Sequence, residues 1–297
     1  MKLIITGANG FIGKHLCMRL KTEGWRFACL VRPGAERSFF VDNDIPTIQM
    51  DGESSSMSEM FRKENTTGIV HLASHFVVEH QEKDLSPLVL SNVLFGTQVL
   101  DASVKAGVKW FLNTGTFWQH YNGSLYDPVN LYAATKQALE DIGRFYANAH
   151  DLRFCTLKLC DTYGPNDTRN KIFALWEKIS KSGETIDMSP GDQLIDIVHV
   201  DQVVQSYVRL IAGLNSERLD GENCDSYYVS SNQKISLKEL AHEYERTNRV
   251  KLNINWGGRA YRRREVMAPA CIGRQIDDLP DFRDDFGEFI DQMNSSK

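Results

Sequence analysis

The sequence has no excess of positive charge: 34 lysines and arginines stand against 39 aspartates and glutamates, for a formal net charge of -5. Nucleic-acid backbones and anionic membrane surfaces are bound through concentrated positive charge. The balance therefore argues against both kinds of partner. Any anionic ligand has to be met by a local cluster of cations.

The sequence also lacks metal-binding spacings and segments typical of export. No cysteine pair has CxxC spacing and no histidine spacing suits zinc, so we expect reduced thiols and no metal. The N-terminal MKLIITG runs directly into a strand-like segment, which leaves no room for a signal peptide, and we find no apolar run as long as a membrane span. These features predict a cytoplasmic protein. The cysteines are Cys17, Cys29, Cys155, Cys160, Cys224 and Cys271.

The first half of the chain contains strand-length apolar runs that alternate with helix-period segments. Strands of a parallel sheet covered on both faces read as such runs. The pattern predicts an α/β fold with a Rossmann-type, doubly wound parallel sheet. The runs are LIIT (3–6), FACLV (27–31), TIQM (47–50), GIVHLA (68–73), VKWFLN (108–113) and FCTLKL (154–159).

A glycine-rich turn follows the first of these runs, with Gly7, Gly10 and Gly13 at GxxGxxG spacing. Glycine allows the backbone to approach a pyrophosphate, whose charge is favoured by the N–H groups at the start of a helix. Because the turn lies between a strand and an amphipathic helix, it predicts a dinucleotide site. The alternative is a tight turn without a ligand.

The end of the second strand indicates which dinucleotide binds. An acidic residue there would accept hydrogen bonds from the adenosine ribose, but the sequence has Arg32, with Arg37 nearby. A guanidinium attracts a 2′-phosphate, so NADP(H) is favoured and NAD(H) remains possible. The alternative for Arg32 is a solvated surface residue. Asp51 follows the third strand, where it either contacts the adenine or forms a turn.

Turn-rich segments replace the alternation after about residue 160. A chain of 297 residues is near the size at which a second lobe is added to the first core. We predict a dinucleotide-binding domain over 1–161 with about 196–215. A smaller C-terminal α/β substrate-binding lobe is predicted over 162–195 and 216–297.

Seven ordered motifs together resemble the extended short-chain dehydrogenase/reductase family, which contains nucleotide-sugar epimerases, dehydratases and reductases. The motifs are TGANGFIG (6–13), VHLAS (70–74), NVLFGTQVL (92–100), NTGT (113–116), YAATK (132–136), DTYGPND (161–167) and DIVHVDQV (196–203). The resemblance implies further cofactor contacts. These are Thr6, Gly7, Asn9, Gly10, Phe11, Ile12, Gly13, Gly52, Leu72, Ala73, Ser74, Asn92 and Thr114.

The resemblance also implies a catalytic set of Thr116, Tyr132 and Lys136. Tyr132 and Lys136 lie four positions apart, so a helix presents both on one face. Tyr132 would be the acid or base, and Lys136 would lower the pKa of the phenol while also holding the nicotinamide ribose. Alignment with the family places Thr116, rather than Thr114, beside the reacting oxygen. Outside this context, a YxxxK pair is more often an ordinary amphipathic helix.

The residues after Thr116 distinguish between reactions within the family. Dehydratases have an Asp-Glu pair there, whereas this chain has Phe117 and Trp118, so dehydration is disfavoured. NTGTFWQHYN, DTYGPNDTR and YRRREVMAP are similar to segments of the reductases that make CDP-abequose and related sugars. That similarity implies reduction of the C4 ketone of a CDP- or dTDP-linked 4-keto-6-deoxyhexose. The alternatives are a nucleotide-sugar 4-epimerase with retained NAD and a non-catalytic NADP(H) sensor.

The substrate diphosphate requires cations, and a dense arginine cluster lies at 259–264. The resemblance implies Arg262 as its ligand, with Arg264 next; a solvated basic loop is the alternative. Asp161 replaces an asparagine common near the substrate phosphate, and Ile195 replaces an arginine. His75, Phe117 and Trp118 are further substrate candidates, although Trp118 is equally suited to the core.

The family resemblance also implies a homodimer that forms through helices near 88–106 and 130–149.

Overall fold

The computed structural model describes residues 2–51, 53–169, 171–216, 224–231, 233–276 and 286–291. The predicted cofactor residue Gly52 lies outside them. The strands are β1 (Lys2–Thr6), β2 (Phe27–Val31), β3 (Thr47–Gln49), β4 (Thr66–His71), β5 (Trp110–Thr116), β6 (Arg153–Leu159), β7 (Asp161–Tyr163), β8 (Ile186–Met188), β9 (Leu194–Ile195), β10 (Ile197–His199), β11 (Cys224–Val229), β12 (Ile235–Ser236), β13 (Ile254–Trp256) and β14 (Arg274–Gln275).

The α-helices alternate with the strands through the first half of the chain. They are α1 (Phe11–Thr22), α2 (Ser38–Asp42), α3 (Ser54–Lys63), α4 (Leu85–Val89), α5 (Phe95–Ala106), α6 (Leu131–Ala149), α7 (Ile172–Ser182), α8 (Val200–Asn215) and α9 (Leu237–Asn248). A π-helical turn, Leu90–Leu94, joins α4 to α5.

Eight strands form one parallel sheet in the order β14-β11-β6-β5-β4-β1-β2-β3. The chain first builds outward from β1 to β3, then returns to β4 and builds in the other direction. The connections after β1 and β4 therefore diverge, and in such sheets ligands bind at this switch point. The predicted doubly wound parallel sheet is confirmed.

Helices cover the sheet on both faces, which explains why its strands are continuous apolar runs. All five residues of β2 are buried, as expected for a strand with no solvated side. Leu16 of α1 and Val203 of α8 belong to the core on one face, whereas Phe61 of α3, Val99 of α5 and Leu139 of α6 belong to the core on the other.

A third core lies around the buried Trp176 of α7 and includes Leu240 of α9. Three two-stranded pairings accompany it, β7 with β10, β8 with β13 and β9 with β12. β11 and β14 are part of the main sheet, although both fall inside the range 216–297 that we predicted for the second lobe. The chain thus returns to the first domain after residue 216.

The helical stretch Glu82–Ala106 is long and apolar enough to span a membrane by length and composition. From the sequence alone, no run of that length was expected. Leu88, Val99 and Leu100 on this stretch are fully buried, and α5 packs against α3 and α6. The stretch therefore packs against the fold on one side, and 39% of its apolar window is buried.

Candidate functional site at the carboxyl edge of the sheet

The glycine turn after β1 brings the backbone of the β1 and β4 connections together. Gly7 has φ +70°, and a Cβ there would lie 2.4 Å from the Ala73 nitrogen. A Cβ on Gly13 would lie 2.4 Å from the Gly7 oxygen. Only glycine fits at these two positions without a shift of the backbone, so the helix start is held against the end of β1.

The N-terminus of α1 is suited to an anion. Gly10 is its N-cap residue, no side chain caps the helix, and the first turn contains no acidic residue. The first N–H groups of a helix have no partner within it, and their dipoles favour negative charge. Phe11 and Ile12 begin this turn, so the turn fits the pyrophosphate of a dinucleotide.

Two other predicted cofactor residues make contacts within the protein. The Thr6 hydroxyl hydrogen-bonds His71 Nδ1 at 2.9 Å and accepts a bond from the Ala73 nitrogen at 3.3 Å. The Asn9 amide donates to the carbonyl of Glu36 at 2.8 Å. Thr6 therefore joins β1 to β4, and Asn9 holds the turn against the loop after β2.

Arg32 lies in the exposed loop at the end of β2, whereas Arg37 donates to Gln49 on β3 at 2.6 Å. Asp51 accepts hydrogen bonds from the Glu53 nitrogen at 3.0 Å and from the Ser56 hydroxyl. The Ser56 hydroxyl lowers the pKa of Asp51. Asp51 thus stabilises the start of α3 as a turn former. Arg32 and Arg37 are both exposed, but among the described residues the Arg32 side chain has no hydrogen-bond partner.

Asn92, in the π-helical turn, holds the β4 connection against α6. Its Oδ1 accepts from the His75 nitrogen at 2.6 Å and from Ser74 Oγ at 3.2 Å, and its Nδ2 donates to Thr135 Oγ1 at 2.9 Å. The Thr135 hydroxyl in turn donates to the Tyr132 carbonyl at 2.7 Å. Asn92 is fully buried, so its contribution is to position Ser74 and Tyr132.

Tyr132 lies in the first turn of α6, and burial raises the pKa of its phenol to about 12. A hydrogen bond with the Ser74 hydroxyl and the charge of Arg169 act in the opposite direction. We expected Lys136 to lower this pKa, but the cation that acts on it is Arg169, and the cost of burying a phenolate outweighs its effect. The phenol is consequently protonated at neutral pH. Its ring meets Phe76 edge-on at 4.9 Å.

Lys136, one turn further along α6, is 1% exposed, and its Nζ has no hydrogen-bond partner among the described residues. Burial lowers the pKa of Lys136 to about 8, and the charge of Glu140 opposes that change. A buried ammonium with unused donors is suited to donate hydrogen bonds to the hydroxyl groups of a ligand.

The threonines that end β5 have different partners. Thr116 is 8% exposed, and its Oγ1 accepts from the Trp118 nitrogen at 3.3 Å, which leaves its own proton free to donate. Thr114 Oγ1 lies 2.7 Å from the hydroxyl of Tyr207 on α8. Tyr207 is fully buried and its pKa is raised by burial, with a smaller effect from Tyr132. Sequence reasoning missed Tyr207 because α8 is distant along the chain.

A cavity of about 780 Å³ is lined by neighbours of the predicted catalytic residues, whereas Thr116, Tyr132 and Lys136 are not themselves part of its lining. Its apolar wall begins at Phe76 and Trp118, whose rings are 5.9 Å apart. Phe117, buried in the main core, also lines it. Trp118 packs against the same core and also lines the cavity. The charged residues of the lining are Glu79, Asp161, Asp167, Arg169, Lys171, Glu177, Arg259, Arg262 and Glu265.

The two predicted diphosphate arginines lie in different places. Arg262 lines the cavity, pairs with Glu265 at 2.5 Å and lies 5.8 Å from the centre of the Trp118 ring. Arg264 pairs with Asp127 and lies over the ring of Tyr121 at 4.2 Å, outside the cavity lining. Arg262 is therefore placed to meet a ligand, and Arg264 holds a surface loop.

Two cations were not singled out from the sequence. Arg169 lies over the Phe11 ring at 4.4 Å and donates two hydrogen bonds to the carboxylate of Asp167. It therefore connects the glycine turn to the cavity. Lys171 lies 3.6 Å from Asp161 and 5.6 Å from the centre of the Phe76 ring. Both follow the DTYGPND motif, but only the folded chain turns them toward the site.

Comparisons with known proteins show the family of the chain. The model of the NAD dependent epimerase/dehydratase family matches residues 3–220. CDP-abequose synthase of Salmonella typhimurium is 28% identical over 239 residues, covering 80% of this chain and 78% of that protein.

Two solved structures have the same fold. DesIV, a dTDP-glucose 4,6-dehydratase from Streptomyces venezuelae with NAD and TYD bound, superposes with a TM-score of 0.82 at 20% identity, covering 99% of this chain and 97% of that one. A UDP-glucose 4-epimerase of Thermus thermophilus in complex with NAD has a TM-score of 0.80 at 17% identity, covering all of both chains. The chain belongs to the NAD dependent epimerase/dehydratase family, as its motifs predicted.

Proposed function

We propose that this protein is an NADPH-dependent reductase of the C4 ketone of a nucleotide-activated 4-keto-6-deoxyhexose, linked to CDP or dTDP. The observation that carries the proposal is a protonated phenol, Tyr132, whose ring contacts Phe76 on the wall of a cavity that also carries an arginine. The similarity to CDP-abequose synthase supports this substrate class. The product would enter deoxysugar and O-antigen precursor synthesis.

The chain has suitable positions for a nicotinamide dinucleotide along the sheet edge. The N-terminus of α1 would hold the pyrophosphate, Arg32 the 2′-phosphate, and Lys136 the nicotinamide ribose. The Nζ of Lys136, unpartnered among the described residues, supports this last role. When bound, the reduced cofactor supplies the hydride.

The chain's own residues handle the proton of the reduction. Tyr132 donates it to the oxygen that becomes the C4 hydroxyl, since a phenol with a pKa near 12 is fully protonated at neutral pH. The free proton of Thr116 hydrogen-bonds the same oxygen, and the Lys136 ammonium stabilises the charge that develops there. Lys136 and Thr116 are buried and Tyr132 is partly buried, so their charges and dipoles are screened less than in water.

The cavity supports binding of the nucleotide diphosphate. Arg262 would share its guanidinium between Glu265 and the diphosphate, with Arg259 as a second cation on the same wall. Phe76 and Trp118 offer apolar faces to the sugar ring. Asp161 lines the cavity and His75 follows β4, and we assign both of them contacts with the substrate.

The residues after Thr116 argue against dehydration. Phe117 and Trp118 have no carboxyl group, so neither position offers the acid and base needed to expel a hydroxyl. A 4-epimerase with retained NAD uses the same tyrosine and lysine, and an NADP(H) sensor needs neither. These alternatives are separated by whether the cofactor is consumed.

The test is incubation of the purified protein with NADPH and CDP- or dTDP-4-keto-6-deoxyglucose while the absorbance of NADPH is followed. We expect NADPH loss equal to the amount of reduced sugar. Tyr132→Phe should lower kcat at least about hundredfold, the usual effect of removing a general acid. Tyr126→Phe is the matched control, because Tyr126 is 67% exposed and lies outside the cavity lining.

The 4-keto substrate has no stereocentre at C4, so epimerisation is tested in a parallel incubation of a nucleotide-linked 4-hydroxyhexose with NAD. Interconversion of its C4 epimers, together with no loss of NADPH in the first assay, would identify an epimerase instead. Binding of NADPH without turnover of either sugar would identify a sensor. Equal rates for Tyr132→Phe and the unaltered protein would overturn the proposed proton donor.

We further propose that the protein is a cytoplasmic homodimer. Apolar side chains are exposed on the stretch from α4 to α5 and on the adjacent α6, notably Leu90 and Phe145. A second copy of the chain would cover them by two-fold symmetry. The six unpaired cysteines support a reducing compartment.

A further inference from the structure

A buried polar network connects to the elements that carry the proposed catalytic residues, and its members lie outside the cavity lining. Its centre is Glu140, one turn after Lys136 on α6 and only 3% exposed. Its Oε1 accepts from Ser226 at 2.8 Å and lies 3.3 Å from the Lys158 ammonium, and its Oε2 accepts from Gln119 at 2.7 Å. Three separate elements therefore hold this carboxylate in one orientation.

Gln119 connects the network to the end of β5. Its amide nitrogen donates to Glu140, and its oxygen accepts from the backbone nitrogen of Thr116 at 2.9 Å. One side chain thus ties Thr116 to the helix that carries Tyr132 and Lys136. A buried network in which each group is satisfied is rigid, because any displacement leaves a polar atom without a partner.

We propose that Glu140 is a positioning residue that acts through Lys136, and that its fixed carboxylate keeps the buried Lys136 ammonium charged. The inference rests on the proposed function, in which that charge stabilises the developing alkoxide. Glu140 is the carboxylate whose charge acts on Lys136, and residues i and i+4 lie on the same face of a helix.

Other charged or titratable groups face this pair from the packed elements. His71 on β4 is fully buried and, with a pKa lowered by burial to about 3, it is neutral and does not compete for the carboxylate. Those around Glu140 are Lys158 on β6, His120 after β5, Arg144 on α6 and Cys224 on β11. Lys158 raises the competing possibility that Glu140 serves only to neutralise Lys158.

Two variants separate these roles. Glu140→Gln preserves shape but leaves the Lys158 cation buried without a carboxylate, which destabilises the fold. Glu140→Gln with Lys158→Met removes both charges, so the folded protein can be studied even if the single variant does not fold. The protonation of Lys136 is followed by NMR titration of isotope-labelled lysine side chains, with Lys136→Met to assign the signal.

We expect the titration midpoint of Lys136 to fall by about one pH unit in both variants, since an adjacent opposite charge typically shifts a pKa by at least that amount. In the reductase assay, kcat of the unaltered protein should fall as pH rises through about 8, where Lys136 loses its proton. In the double variant this decline should begin about one unit lower, so that kcat at pH 8 is about fivefold lower while KM is unchanged.

An unchanged midpoint, or full recovery of kcat when Lys158→Met is added, would overturn the inference and leave Glu140 as the partner of Lys158 alone. The NMR titration does not depend on turnover. A lowered midpoint in a protein without reductase activity would therefore support the role of Glu140 and reject the proposed reaction.

Discussion

At the scale of single residues, burial determines which form each titratable group takes. The same desolvation raises the pKa of Tyr132 to about 12 and lowers those of Lys136 and His71 to about 8 and 3, because it always disfavours the charged form. Tyr132 is thus held as an acid and His71 as a neutral ring. Of these three groups, Lys136 is left close to its titration midpoint at neutral to mildly basic pH.

Cofactor preference is also decided at a single residue. We expect Arg32→Asp to raise KM for NADPH at least about tenfold and to leave KM for NADH nearly unchanged, since one charge-assisted hydrogen bond to a phosphate is worth about 1.5–3 kcal/mol. Steady-state kinetics with both cofactors measures this. Arg26→Asp is the control, because it makes the same charge change in an exposed residue just before β2, at the opposite end of that strand.

A parallel rise in both KM values would show that Arg32 does not meet a 2′-phosphate. The sequence favoured Arg32 over the nearby Arg37 because Arg32 directly follows the second strand. The structure separates them, because Arg37 is bonded to Gln49 and Arg32 is not.

At the scale of elements, the site depends on how closely α1 approaches β1. A Cβ on residue 13 would lie 2.4 Å from the Gly7 carbonyl oxygen, so any side chain at that position forces the backbone of the turn to move. We expect Gly13→Ala to destabilise the fold by about 1–3 kcal/mol, the usual cost of overpacking, and to lower the melting temperature by several degrees.

Calorimetry or circular dichroism checks this prediction. Gly287→Ala is a matched control, because Gly287 also lies in a helical segment, 286–291, and a Cβ added there would meet none of the described atoms within 4 Å. It should leave stability unchanged or slightly raised, since alanine favours helix. If Gly13→Ala melts at the same temperature as Gly287→Ala, the close approach of α1 does not limit stability.

Secondary structure was predictable where a strand is buried on both faces. FACLV was predicted as 27–31, and β2 has those bounds. β11 was not predicted, because its sequence CDSYYV alternates partly exposed with buried residues and offers no continuous apolar run. Such a pattern is ambiguous in sequence and is resolved only by its pairing with β6.

At the scale of the whole molecule, the exposed apolar surface on α6 and the stretch from α4 to α5 suits a second copy. Leu90 is 54% and Phe145 61% exposed. We expect Leu90→Glu with Phe145→Glu to convert a dimer into single chains in sedimentation experiments, because like charges would face one another across a two-fold axis.

Val41→Glu is the control, since Val41 is 71% exposed on α2, away from this surface. It should sediment as the unaltered protein does. A protein that sediments as a single chain before any substitution, or a double variant that remains dimeric, would exclude this interface.

The sequence by itself determined the parallel sheet, the glycine turn and the tyrosine and lysine of the proposed site, because these depend on local spacing and on continuous apolar runs. It did not determine which groups surround them. Gln119, Glu140 and Lys158 are separated by 18 to 39 positions and meet only because β5, α6 and β6 pack together. Tertiary structure alone decided the buried network and the charge states, since desolvation and ion pairing are properties of the folded interior.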